Sequence, residues 1–131
     1  MESIIKDISL APSGHAKIEW VKNFMPVLSS IDKEFSQSKP FEGKTIAITL
    51  HLEAKTAYMA EVFMHAGARV VITGSNPLST QDDVCAALVE DGVTVFAAHG
   101  CSAEEYDSYI NKAIDCEPNI VIDDGGDLVN L

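Results

Sequence analysis

The chain has 131 residues, enough for one core, and 47% of them are hydrophobic, which argues against a disordered polypeptide. Twenty acidic residues against 9 basic ones give a formal net charge of −11, so nucleic acid and anionic bilayers are poor partners. The three cysteines (Cys85, Cys101, Cys116) form no C-x-x-C pair and suit small buried hydrophobes better than disulfides or a zinc site.

Residues 13–36 read as helical, with Ser13 as N-cap and Ile18, Val21, Phe24, Leu28 and Ile31 on one apolar face. Pro26 should kink or split this run. Residues 36–43 carry Ser, Pro and Gly and read as a connection. Strands are then expected at 44–50, 68–73, 93–97 and 119–122. Helices are expected between them at 53–66, 80–90 and 102–114, the last opened by a capping box of Ser102 and Glu105.

This alternation implies βαβ units: a flavodoxin-like, doubly wound parallel α/β sheet of about four strands, with helices on both faces. The expected strand order is 2-1-3-4. The chain divides into an N-terminal helical segment, 1–43, and a parallel α/β segment, 44–131. No apolar run approaches the roughly 20 residues of a membrane span. Met1-Glu2-Ser3 does not open a signal peptide. A cytoplasmic protein is expected.

Ligands of such sheets bind beyond the carboxyl ends of the strands. There stand His51, Glu53 and Lys55; then Asn76, Ser79, Thr80, Gln81 and Asp82; then His99; then Asp123 and Asp124 with two glycines. Plainer readings exist for each. His51 could be a polar strand end, the Ser79–Asp82 run a helix start, and the glycines a tight turn. His15, His65 and His99 read as structural or surface residues. The acidic cluster lacks the ladder of a calcium loop, and no metal is expected. There is no G-x-G-x-x-G, P-loop or G-x-S-x-G. A receiver-type binding domain, the non-enzyme alternative, would keep its acidic pair after the first strand, where this chain has His51.

Several blocks occur in a telling order: Asp7-Ile8-Ser9-Leu10-Ala11, Leu50-His51-Leu52, Asn76-Pro77-Leu78-Ser79-Thr80-Gln81-Asp82, and Asp123-Asp124-Gly125-Gly126-Asp127-Leu128. Together with Met25-Pro26 and Glu104-Glu105-Tyr106 they resemble the opening of S-adenosyl-L-homocysteine hydrolases, over nearly the whole chain.

The resemblance implies an NAD-dependent thioether hydrolase acting on a nucleoside–homocysteine substrate. His51 and Asp124 would be the acid/base residues near the ribose 4′ and 5′ positions. Asn76, Ser79, Thr80, Gln81 and Asp82 would lie near the substrate, with Ser79 or Thr80 close to it and Gln81 and Asp82 buttressing the loop. It also implies that the NAD fold and the remaining substrate residues lie beyond Leu131, so the chain alone is expected to be inactive. Family members are tetramers, and an uncovered sheet edge here would favour self-association.

One departure stands out. Many members have Thr two residues after the histidine and Glu or Gln four after; here those positions are Glu53 and Lys55. Glutamate only accepts hydrogen bonds and lysine only donates. That pair fits hypoxanthine if Glu53 meets the ring N–H and Lys55 the six-position carbonyl, so an S-inosyl-L-homocysteine substrate is the alternative. Crossed geometry would fit adenine, and the two side chains could instead pair with each other.

Overall fold

The computed structural model describes residues 2–128; the last three positions of the 44–131 segment lie outside the described residues. Asp7 opens a short 3-10 turn at Ile8–Leu10 by accepting from the Ser9 amide. Helix α1 follows at once, Ala11–Lys22. Pro12 sits in its first turn, where the missing N–H costs no hydrogen bond. Ser13 is therefore inside the helix and is not its N-cap. Its hydroxyl donates to Asp83 at 2.7 Å instead.

Pro26 splits the long helical run: α2, Pro26–Ser38, begins on it and ends at Lys39, which adopts the left-handed conformation at φ 47°. Of the apolar face read across this run, Ile18 and Val21 are buried, Leu28 and Ile31 partly so, while Phe24 is 65% exposed. The break at residues 23–25 turns Phe24 out of register with the core.

The remaining elements alternate: β1 (Thr45–Leu50), α3 (Ala54–His65), β2 (Arg69–Gly74), α4 (Asp82–Asp91), β3 (Thr94–Phe96), α5 (Ala103–Asp115) and β4 (Ile120–Asp123). All pairings are parallel, and the sheet is doubly wound. Its order is β3-β2-β1-β4. This corrects the expected order 2-1-3-4. Periodicity marks strands but not their neighbours, and the chain here steps outward from β1 through β2 to β3 before crossing back to the far side of β1.

Side chains alternate between two cores. Ile46, Ile48, Val70, Ile72 and Val95 meet α1, α3 and α4 on one face. Ala47, Val71 and Phe96 meet Tyr109, Ile110 and Ala113 of α5 on the other. Each fully buried aliphatic side chain contributes about 1.5–3 kcal/mol. Between the central strands the buried Thr49 and Thr73 hydroxyls satisfy each other at 2.8 Å. A one-residue slip would break that bond and reverse both faces.

The two sheet edges differ. Ile4 pairs with β3: its amide donates to Val95 O at 2.8 Å, and its carbonyl accepts from the Ala97 amide at 3.0 Å. At the opposite edge, Ile120 and Val121 of β4 are exposed.

Candidate active site

The reversal of strand order lies between β1 and β4, and crevices at such points hold ligands. His51 leaves the carboxyl end of β1. Asp124 leaves that of β4, whose Asp123 is in register with Thr49 of β1. Parallel neighbours run about 4.8 Å apart, so the backbone brings positions 51 and 124 to the same rim of the sheet. The expected order would have put β3, and hence His99, across from His51. The observed order puts the end of β4 beside the end of β1, while His99 lines the same cavity as His51.

Each side of the crevice is built by hydrogen bonds. Leu50 O accepts from the Ser75 amide at 2.9 Å, and Leu52 O from the Gln81 amide at 3.0 Å. The loop after β2 is thus stitched to both flanks of His51. Within that loop Asn76 Oδ1 accepts from the Leu78 amide, and Asn76 O accepts from the Ser79 and Thr80 hydroxyls. Gly74 permits the tight return, since a Cβ there would lie 2.5 Å from Thr80 Oγ1.

Of the two hydroxyls expected near ligand, Thr80 is buried, at 3% exposure, and turns into the loop. Ser79 Oγ lies 2.7 Å from His51 Nδ1. Gln81 and Asp82 start α4, and Asp82 Oδ1 accepts from the His99 amide at 2.8 Å. His99 Nδ1 in turn meets Thr80 O at 2.9 Å, so His99 braces the loop.

The acidic loop divides its labour. Asp123 Oδ1 accepts from the Gly125 and Gly126 amides, and Oδ2 from the Leu128 amide at 3.0 Å. Asp127 accepts from the Tyr106 hydroxyl at 2.6 Å, and that hydroxyl also reaches Ser75 O. Burial, then the Asp127 bond and charge, push the Tyr106 phenol above its ordinary range, so it stays a donor. The expected capping box of Ser102 and Glu105 is present and starts the helix that delivers Tyr106. Asp124 takes no part in these bonds and is exposed.

Glu53 caps α3, its carboxylate accepting from the Thr56 amide at 3.0 Å. Lys55, one residue into the helix, is exposed, and among the described residues no ion pair joins it to Glu53. A cavity of about 820 Å³ opens beside His51, lined also by Glu53, Ser79, Asp83, His99 and Lys17. Sequence reasoning did not select Lys17. It comes from α1, far along the chain, and its ammonium pairs with Asp83 at 2.8 Å. Burial works to raise the Asp83 carboxyl, but Lys17 and Ser13 outweigh it and hold it below the usual range. Cys85 lies beneath this wall, its thiol pushed up to about 12 by burial and then by Asp82 and Asp83, which makes it inert.

A family model described as S-adenosyl-L-homocysteine hydrolase matches residues 2–131. The chain belongs to that family. It is 59% identical over 129 residues to an S-inosyl-L-homocysteine hydrolase of Methanococcus maripaludis, covering 98% of this chain and 31% of that protein. It is 58% identical to an adenosylhomocysteinase of Pyrococcus abyssi (97% and 30% covered) and 56% to one of Thermococcus kodakarensis (96% and 30%). The chain therefore spans about 30% of the length of these relatives.

S-adenosyl-L-homocysteine hydrolases are NAD-dependent as a family. The described residues of this member do not fit that dinucleotide. Pyrophosphates sit on helix N-termini served by glycine-rich turns. At this rim the N-terminus of α3 is closed by the Glu53 carboxylate, that of α4 carries Asp82 and Asp83, and that of α5 carries Glu104 and Glu105. A second polyanion would be repelled from all three. Among the described residues no helix is long and apolar enough to cross a membrane.

Proposed function

We propose that this chain supplies the substrate-side half of the active site of a nucleoside–homocysteine thioether hydrolase. The observation that supports the reading is the placement of His51 and Asp124 just beyond the carboxyl ends of the adjacent strands β1 and β4. Eliminating a thiol from the 5′ carbon and adding water there requires one group to give a proton and then take it back. An imidazole and a carboxylate brought to one rim of the sheet suit that work. Asn76, Ser79, Thr80, Gln81 and Asp82 form the wall that holds His51, and Glu53 and Lys55 stand at the base end.

In this reading NAD is held by polypeptide outside the 131 residues, and the chain alone turns nothing over. Residues 1–43 act as a helical collar on the 44–131 sheet. The protein works in the cytoplasm as a homo-oligomer.

A second reading concerns the base. Glu53 has one carboxylate oxygen turned to the backbone of α3, and Lys55 is not neutralised by it. A lysine left as a free donor matches the six-position carbonyl of hypoxanthine, whereas adenine presents a donor there. On this hydrogen-bond matching we favour S-inosyl-L-homocysteine over the adenosyl compound.

The test joins residues 1–131 to the remaining two-thirds of the Pyrococcus abyssi enzyme and assays both thioethers. Turnover by the chimera should fall about 10²–10⁴-fold in His51→Asn and Asp124→Asn. Full activity in both variants would overturn the acid/base reading. Faster hydrolysis of the adenosyl compound by the parent chimera would overturn the choice of base.

A further inference from the structure

Ser79 offers a single proton, and two groups compete for it. Its Oγ lies 3.0 Å from Asn76 O and 2.7 Å from His51 Nδ1. A backbone carbonyl can only accept. When the Ser79 hydroxyl donates to Asn76 O, the short contact to His51 is satisfied only if Nδ1 carries the hydrogen and the serine oxygen accepts it. The neutral ring then has its lone pair on Nε2.

We infer that Ser79 is a positioning residue that holds neutral His51 in the Nδ1–H tautomer, with Nε2 left as the proton acceptor. The inference rests on the proposed acid/base role of His51. It adds which nitrogen does the work and what sets it. A serine oxygen backed by a carbonyl accepts from Nδ1 whether the ring is neutral or charged. His51 can therefore gain a proton at Nε2 and return it without breaking its anchor. Were Ser79 to donate to Nδ1 instead, neutral His51 would present an N–H and could only give a proton first.

Asn76 ties this arrangement to the loop. Its carbonyl accepts from the Ser79 amide at 3.1 Å and from Thr80 Oγ1 at 3.2 Å as well. Its side chain holds the Leu78 amide. The turn at 76–80 thus points one carbonyl at the serine hydroxyl, and the serine at the imidazole. Thr80 fixes the turn without reaching His51.

The experiment is two-bond ¹H–¹⁵N correlation NMR on the ¹⁵N-histidine-labelled 131-residue chain, at a pH where the rings are neutral, with His51 assigned from His51→Gln. His99 supplies an internal standard, because its Nδ1 faces Thr80 O and must donate. Wild-type His51 should show the Nδ1–H pattern of His99. Ser79→Ala should move His51 to Nε2–H and leave His99 unchanged, and Ser79→Thr should restore Nδ1–H. In the chimera Ser79→Ala should lower kcat roughly tenfold to a hundredfold through misorientation, with KM changed less than about twofold.

A wild-type His51 that carries its hydrogen on Nε2 overturns the inference, and that spectrum decides even if Ser79→Ala does not fold. An unchanged His51 tautomer in a folded Ser79→Ala chain overturns it too. Full turnover by His51→Asn would instead remove the acid/base reading and leave the tautomer assignment standing.

Discussion

Replacing Glu61 with Gln tests a carboxyl pair between α3 and α4 in which Glu61 is buried and Asp91 is exposed. Glu61 is 4% exposed. Burial first, then the hydrogen bond to Asp91 and the Asp91 charge, push its carboxyl up to about 8, against the pull of Lys22 3.9 Å away. At neutral pH the folded chain therefore keeps a proton on Glu61 and donates it to Asp91. The unfolded carboxyl titrates near 4.5. A group whose pKa folding raises stabilises the chain fully at low pH, and that contribution is lost as pH climbs through the folded value. The window runs from about 4.5 to about 8. The slope is at most about 1.4 kcal/mol per pH unit. Sharing the proton with Asp91 and attraction to Lys22 keep the total below that limit. The amide introduced by Glu61→Gln would donate to Asp91 at every pH. The variant should therefore match wild type near pH 5 and exceed it by about 2–4 kcal/mol near pH 8. Urea unfolding of both proteins across that range reads the difference. A variant that loses stability with pH as steeply as wild type, or that is weaker than wild type at pH 8, refutes the reasoning.

Gly14→Ala should be costly although alanine favours helices. A Cβ at position 14 of α1 would run into the Asp83 backbone carbonyl of α4 and sit 2.9 Å from Ala87 Cβ. Overpacking of this kind costs about 1–3 kcal/mol, visible as a lowered Tm, and an unchanged Tm would show that α1 can move away. Val121→Lys places a charge on the exposed β4 edge. It should turn self-association of the 131-residue chain, followed by light scattering at rising concentration, towards monomer. A wild-type chain that stays monomeric at high concentration would remove edge pairing as its mode of assembly.

The strands and helices were legible because each is short, bounded by glycines and patterned on one period. Ser102 and Glu105 announced a helix start that the structure contains. Ser13 misled because Pro12 beside it opens the helix and the preceding 3-10 turn runs straight in. Strand order was illegible, since residue spacing does not say whether the third strand returns beside the first. That one feature decides whether the end of β4 or the end of β3 lies beside the end of β1. The split within the 123–127 loop was hidden as well. Asp123 and Asp127 spend their oxygens on amides and a phenol, and only hydrogen-bond geometry separates them from Asp124. Glu53 read as a base-recognition residue from its position, yet one of its oxygens serves the helix backbone.

The far-side return of β4 also sets when the site can exist. The Thr45 amide is held by Asn119 Oδ1, 74 positions later, whereas β1 and β2 join across a single helix. Closing the longer loop costs more chain entropy, growing as the logarithm of its length. Contacts between distant positions form slowly. The β1–β2–β3 half can thus organise first, with His51 already anchored on Ser79. Asp124 arrives with the last strand to dock, so a nascent or partly unfolded chain has His51 in place before Asp124. Under the proposed function, competence for proton transfer reports completion of the sheet.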